Sequence, residues 1–219
     1  IVFYPFSGPD FVTVYHLYPE AGRYVLVALQ RAQAPPALAK ASATESSAFL
    51  ARFGESWKQF AQIGFFRTND LDDEAKQTGI RAGMTAPMMA FAVRTGFKVA
   101  SVEPMRVSAT GPDLEPHPGD RADAATWDSV RISLERGTRK VVLDYVRVNL
   151  SDSSLNANPA VKAWIERMAA NQTLLKAASH LPQNPRFTIV RDALLAHAPG
   201  SDTGATPPEN LPTTEVPTS

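Results

Sequence analysis

Seven consecutive residues, Tyr4-Pro5-Phe6-Ser7-Gly8-Pro9-Asp10, hold the one segment of the chain with a chemical look. Ser7 and Gly8 let a backbone approach an anion or a polar ligand closely, and Asp10 can accept hydrogen bonds. The same residues also have a mechanical reading. Ser7 stands three positions before Asp10 as a capping pair, Pro9 fits the first turn of a helix, and Gly8 relieves a tight bend. Both readings put the segment between a strand and a helix.

More familiar catalytic patterns are missing. Ser7 lacks the flanking glycines of a Gly-x-Ser-x-Gly nucleophile turn. There is no Gly-Lys-Ser/Thr phosphate loop and no triplet of spaced glycines for a dinucleotide. His16, His117, His180 and His197 are far apart and show no zinc-binding spacing. The acidic run Asn69–Glu74 has Ala75 and Arg81 where a calcium loop needs glycine and glutamate, so acids at a helix start explain it better. The chain has no cysteine, which excludes disulfides and thiolate chemistry. No cofactor and no metal is therefore expected.

The elements that must position the first segment follow from hydrophobic patterning. Ile1–Tyr4 and Tyr24–Leu29 are short apolar, β-prone runs, the pattern of strands buried on both faces. Between them Phe11, Val14, Tyr15 and Tyr18 form the stripe of an amphipathic helix over Asp10–Tyr18, giving a βαβ unit. Ser46–Phe66 predicts a long helix with an apolar face, and Thr85–Thr95 a second, with Pro87 in its first turn and Gly96 after its end. Val99–Val107 reads as a strand in which Pro104 marks an edge or a bulge, and Gly111–Asp120 as a surface loop. Val130, Ile132 and Leu134 alternate with Arg131, Ser133 and Glu135, and Val141–Val148 runs back after Arg136-Gly137-Thr138, which predicts an antiparallel hairpin. Asn158-Pro159 starts a helix buried through Trp164, Ile165, Met168 and Ala169. Thr173–Leu181 suits a strand or a continued helix, with the strand favoured, and Phe187–His197 closes the body as a helix. The expected fold is α/β, a mixed, mostly parallel sheet with flanking helices and one antiparallel hairpin.

The 22 Lys and Arg residues balance 22 Asp and Glu, which removes the charge footprint of a nucleic-acid binder. The balance is uneven. Residues 199–219 hold five prolines, seven Ser or Thr and three acids without a basic residue, leaving residues 1–198 at net +3. Such a composition cannot offset the entropy of ordering, so one domain over 1–198 followed by a disordered tail or linker over 199–219 is expected. No run approaches the roughly 18 apolar residues of a membrane span. The chain opens on Ile1 without a signal-type pattern, which reads as a processed piece whose targeting segment lies upstream.

The sequence resembles a family of uncharacterised bacterial proteins, many with export or lipoprotein signals. The likeness rests on Phe3–Phe11, Arg23–Val27, Gly64-Phe65-Phe66-Arg67-Thr68, Gly83-Met84-Thr85-Ala86-Pro87 and Leu174–Leu181 followed by Phe187. It implies a periplasmic or membrane-tethered location and a site at Tyr4 to Asp10. Lys176, Ser179 and His180, after a parallel strand, would then line the same crevice, as would Asn149, Ser151 and Asp152 after the hairpin. The chain departs from the family in two places. Gln30 stands where the family carries an acid able to hold a ligand hydroxyl, and a polar tail replaces a C-terminal strand.

The resulting expectation is a domain that binds a small polar or anionic ligand, with candidate residues Tyr4, Ser7, Gly8, Asp10, Gln30, Lys176, Ser179 and His180. Catalysis is left open. The alternatives are a degenerate methyltransferase-like enzyme, a hydrolase using Ser7 with His16 or His180, and a structural or interaction module.

Overall fold

The computed structural model describes residues 1–35, 83–117, 127–176 and 183–197, together with scattered positions between 42 and 58. The expected long helix 46–66 and acidic run 69–74 lie largely or wholly outside these, as do Ser179, His180 and the tail.

Seven strands form one sheet: β1 (Val2–Tyr4), β2 (Arg23–Ala28), β3 (Lys98–Val107), β4 (Leu114–Pro116), β5 (Ser129–Arg136), β6 (Arg139–Arg147) and β7 (Gln172–Thr173). The described helices are α1 (Phe11–Leu17), α2 (Thr85–Arg94), α3 (Asp152–Ala157), α4 (Pro159–Ala169) and α5 (Thr188–Leu195). The strand order is β4-β3-β5-β6-β2-β1-β7. The fold is α/β with a mixed sheet, but the expectation of a mostly parallel one is corrected. Only β6-β2-β1-β7 run parallel, and the long strands β3 and β5 pair antiparallel with β4, with each other and with β6. Alternation of side chains identifies a strand without giving its direction, so the sense of β3 could not be read locally.

The two faces are built differently. Tyr4, Tyr24, Leu26, Leu143, Tyr145, Val130 and Ile132 pack with Phe11 and Val14 of α1 and Met88 and Phe91 of α2. The opposite face, with Phe3, Val25, Val27 and Val146, meets Trp164, Ile165 and Met168 of α4 and Val190 of α5. Fully burying a side chain such as Phe11 or Ile165 contributes roughly 1.5–3 kcal/mol, so each face has its own driving force. The described helices cover both faces of the sheet, consistent with the apolar runs of β1 and β2.

The hairpin turn is two residues, Gly137 and Thr138, because Arg136 pairs with Arg139. Gly137 has φ +61, the left-handed conformation that such tight hairpins need. The irregularity in β3 falls between Val99 and Ser101, while Pro104 pairs with Val130 on one side and stands outside the β4 pairing on the other, the edge alternative of the expectation. One local expectation changes. The stretch expected as a surface loop contains β4, whose Leu114 to Pro116 pair with β3.

Candidate functional site

All four parallel strands point their carboxyl ends the same way. The chain leaving β1 enters α1, and residues 174–176, leaving β7, follow on the same face, with Leu174 packed against that core and Lys176 bonded to the first turn of α1. Ligands in open α/β sheets generally gather outside the carboxyl ends of the strands, here the junction of β1 and β7. The β1–α1 segment and residues 174–176 stand at that junction.

The junction is held by a cluster of polar side chains. Asp10 is the N-cap of α1, its Oδ1 accepting from the Thr13 backbone N–H at 3.1 Å. Its Oδ2 accepts from the Tyr4 hydroxyl at 3.2 Å and from Lys176 Nζ at 3.1 Å. Lys176 Nζ also donates to Thr13 Oγ1 at 2.6 Å. Asp10 and Tyr4 are buried, while the Lys176 side chain keeps 31 % of its surface exposed. Burial, followed by the charge of Asp10, pushes the Tyr4 phenol well above its ordinary range, so it stays a donor.

Ser7 takes a different part from the one expected of it. Its backbone N–H donates to Val27 O at 3.0 Å, and its hydroxyl lies 3.0 Å from Gly8 O and 3.4 Å from Val27 O. Asp10, not Ser7, caps the helix, so the expected Ser7–Asp10 capping pair does not form. Ser7 instead ties the loop to the end of β2. Gly8 has φ +58, which glycine adopts freely, and Phe6 has φ +59, which costs a non-glycine residue roughly 1–2 kcal/mol. The Phe6 ring is placed edge-on to Phe187, 5.3 Å between centroids, which offsets part of that cost.

Gln30 lies beyond β2 in a loop whose backbone is pinned from several sides. Tyr145 donates to Gln30 O at 3.0 Å and Arg147 Nε to Leu29 O at 2.9 Å. Thr85, at the start of α2, donates to Ala32 O at 2.9 Å and Gln33 O at 2.6 Å. Gly83 makes this docking feasible, since it has φ +44 and a Cβ there would overlap the Ala32 carbonyl.

A cavity of about 480 Å³ opens past the carboxyl end of β6, lined by Asn149, Ser151, Asp152, Ser153, Arg186 and Phe187. Asp152 Oδ2 accepts from Thr188 N at 3.0 Å and Thr188 Oγ1 at 2.6 Å, and Oδ1 from Ile189 N at 2.9 Å. Burial alone would raise the Asp152 carboxyl, but these bonds hold it below its ordinary range. The Phe6–Phe187 contact joins this cavity to the β1–α1 loop.

Sequence reading missed a second polar cluster, on the α4 face. Arg23 Nε donates to Asp144 Oδ2 at 2.7 Å and Arg23 Nη2 to Asp113 Oδ1 at 2.8 Å. Arg131 forks onto Asp144, with Nε to Oδ1 at 2.7 Å and Nη2 to Oδ2 at 2.9 Å, while Trp164 Nε1 reaches Asp113 Oδ1 at 3.4 Å. Asp144 is fully buried. Arg23 and Asp113 stand at the amino end of β2 and beside β4, so this network fastens the antiparallel part of the sheet to α4. An acid inside the apolar run Val141–Val148 was the available signal, because a buried carboxylate requires partners.

Comparisons with family models, with curated proteins and with solved structures found no match. Among the described residues, no helix is long and apolar enough to cross a membrane.

Proposed function

We propose that this chain is a small-molecule-binding α/β domain of the uncharacterised bacterial family that its Phe-Tyr-Pro-Phe-Ser-Gly-Pro-Asp segment resembles, and that it receives a polar or anionic ligand beyond the carboxyl ends of β1, β2, β6 and β7. One observation carries the reading. Asp10 and Lys176, 166 positions apart in the chain, meet just past the carboxyl ends of the neighbouring parallel strands β1 and β7. Capping alone uses one oxygen of Asp10 and needs neither Tyr4 nor Lys176. Binding without catalysis is favoured over the hydrolase alternative, because the Ser7 hydroxyl is buried and turned toward backbone carbonyls.

The test is a thermal-shift screen of the whole chain against nucleotides, S-adenosylmethionine and sugar phosphates. A reproducible rise that Lys176→Met removes supports the reading, and no rise with any compound favours a structural module.

A further inference from the structure

The cavity beyond β6 has a lining in which free hydrogen-bond donors outnumber free acceptors. Asp152, the only carboxylate among its described lining residues, has both oxygens committed to the first turn of α5. Arg186 is held by its backbone, since its N–H donates to Asn184 Oδ1 at 3.0 Å and its carbonyl accepts from Asp152 N at 2.7 Å. Its guanidinium is exposed and has no ion-pair partner among the described residues. Asn149 Oδ1 accepts from Ser151 N at 3.0 Å, which orients the amide and leaves its NH2 group as the outward end. The hydroxyls of Ser151 and Ser153 share a hydrogen bond at 3.3 Å, so one donates to the other and the second can turn its proton outward. Phe187 supplies an apolar wall, steadied by Phe6.

We propose that this cavity is the subsite for an oxyanion, the phosphate or carboxylate of a small organic ligand, with Arg186 as the charged grip and Asn149 and the outward hydroxyl of the Ser151–Ser153 pair as neutral donors. A fork of guanidinium N–H groups matches either oxyanion bidentately, and the neutral donors complete its shell without adding charge. At about 480 Å³ the cavity also has room for the organic part of the ligand, which lies against Phe187. The inference rests on the reading that a ligand is received at these strand ends, and it adds the chemistry by which the ligand is held.

The experiment is isothermal titration calorimetry at low salt in an amine buffer, with the whole chain and its Arg186→Gln, Asn149→Ala and Lys176→Met variants. The probes are inorganic phosphate, ribose 5-phosphate, AMP and citrate, with ribose and adenosine as uncharged counterparts. Binding of at least one anion is expected, about tenfold or more tighter than its uncharged counterpart, and weakened about tenfold or more by Arg186→Gln and several-fold by Asn149→Ala. Preference for ribose 5-phosphate and AMP over citrate assigns a phosphate, and the reverse order a carboxylate. The urea midpoint of Arg186→Gln should stay within error of the parent, which excludes loss of fold as the cause. Anion binding that survives Arg186→Gln overturns the subsite. If that binding is nevertheless lost in Lys176→Met, or if the uncharged probes bind as tightly as the anions, the subsite fails while the wider reading stands. If no probe binds, both fail.

Discussion

Lys176 Nζ, three residues past the end of β7, lies 3.1 Å from Oδ2 of Asp10, the residue that caps the helix after β1. This pair closes the junction between two neighbouring parallel strands and fixes the first turn of α1 to the segment 174–176. Lys176→Met keeps the length and apolar stem of the side chain but leaves the buried Asp10 carboxylate without its cation. A stability loss of roughly 1–3 kcal/mol is expected, read as a lower urea midpoint with an unchanged denaturant slope. A variant as stable as the parent would show that the pair is held by the fold without helping to hold it.

Asp144 is the only described carboxylate that is fully buried, and it serves two guanidinium groups at once. Asp144→Asn retains the shape and removes the charge, so Arg131 and Arg23 lose their common partner. A loss of about 3–5 kcal/mol is expected by chemical denaturation, the range found when one member of a buried ion pair is removed. Asp144 retains Arg23 when Arg131 is removed, so Arg131→Gln alone should cost less than Asp144→Asn.

The same network sets an acid limit on stability. Burial alone would raise the Asp113 carboxyl, but the hydrogen bonds from Arg23 and the Leu114 N–H lower it to about 2 from an ordinary 3.8. A carboxyl depressed in the folded state contributes stability above its unfolded pKa and loses it as pH falls through the folded one. Stability should therefore decline from about pH 4 toward pH 2, and Asp113→Asn should flatten that part of the profile. Urea midpoints of the two proteins across this interval provide the check, and parallel profiles would remove Asp113 from the explanation.

Gly83 offers a steric prediction. Its φ of +44 and the overlap a Cβ would make with the Ala32 carbonyl mean that Gly83→Ala must separate α2 from the loop after β2 or strain both. A loss of roughly 2–4 kcal/mol is expected. Gly22, which has open space where a Cβ would stand, should accept alanine with a far smaller change in melting temperature.

Much of the fold was legible because it is written in local patterns. The apolar runs of β1 and β2, the stripe of Phe11, Val14 and Tyr15, the Val130–Ile132–Leu134 alternation and the Asn158-Pro159 cap all occupy the elements their periodicity implies. The sense of β3 was not legible, and neither was β4, three residues amid prolines and glycines that become a strand only by pairing with β3. The site divides the same way. Tyr4, Asp10 and Lys176 stood out singly, but their contact depends on β1 and β7 being neighbours, a tertiary fact with no local trace. Arg131 was visible only as a polar residue alternating with Val130, Ile132 and Leu134, and the buried Asp144 opposite gives it its role.

The central claim is that a small ligand binds where the parallel strands end, and backbone amide chemical-shift mapping tests it most directly. On addition of ribose 5-phosphate or AMP to the isotope-labelled chain, the account predicts saturable shifts at residues 6–8, 149–153, 174–176 and 186–187. The amides of the Gly137–Thr138 turn, at the opposite end of β6, should stay unmoved. Saturable shifts confined to that turn, or none anywhere at millimolar ligand, would contradict it.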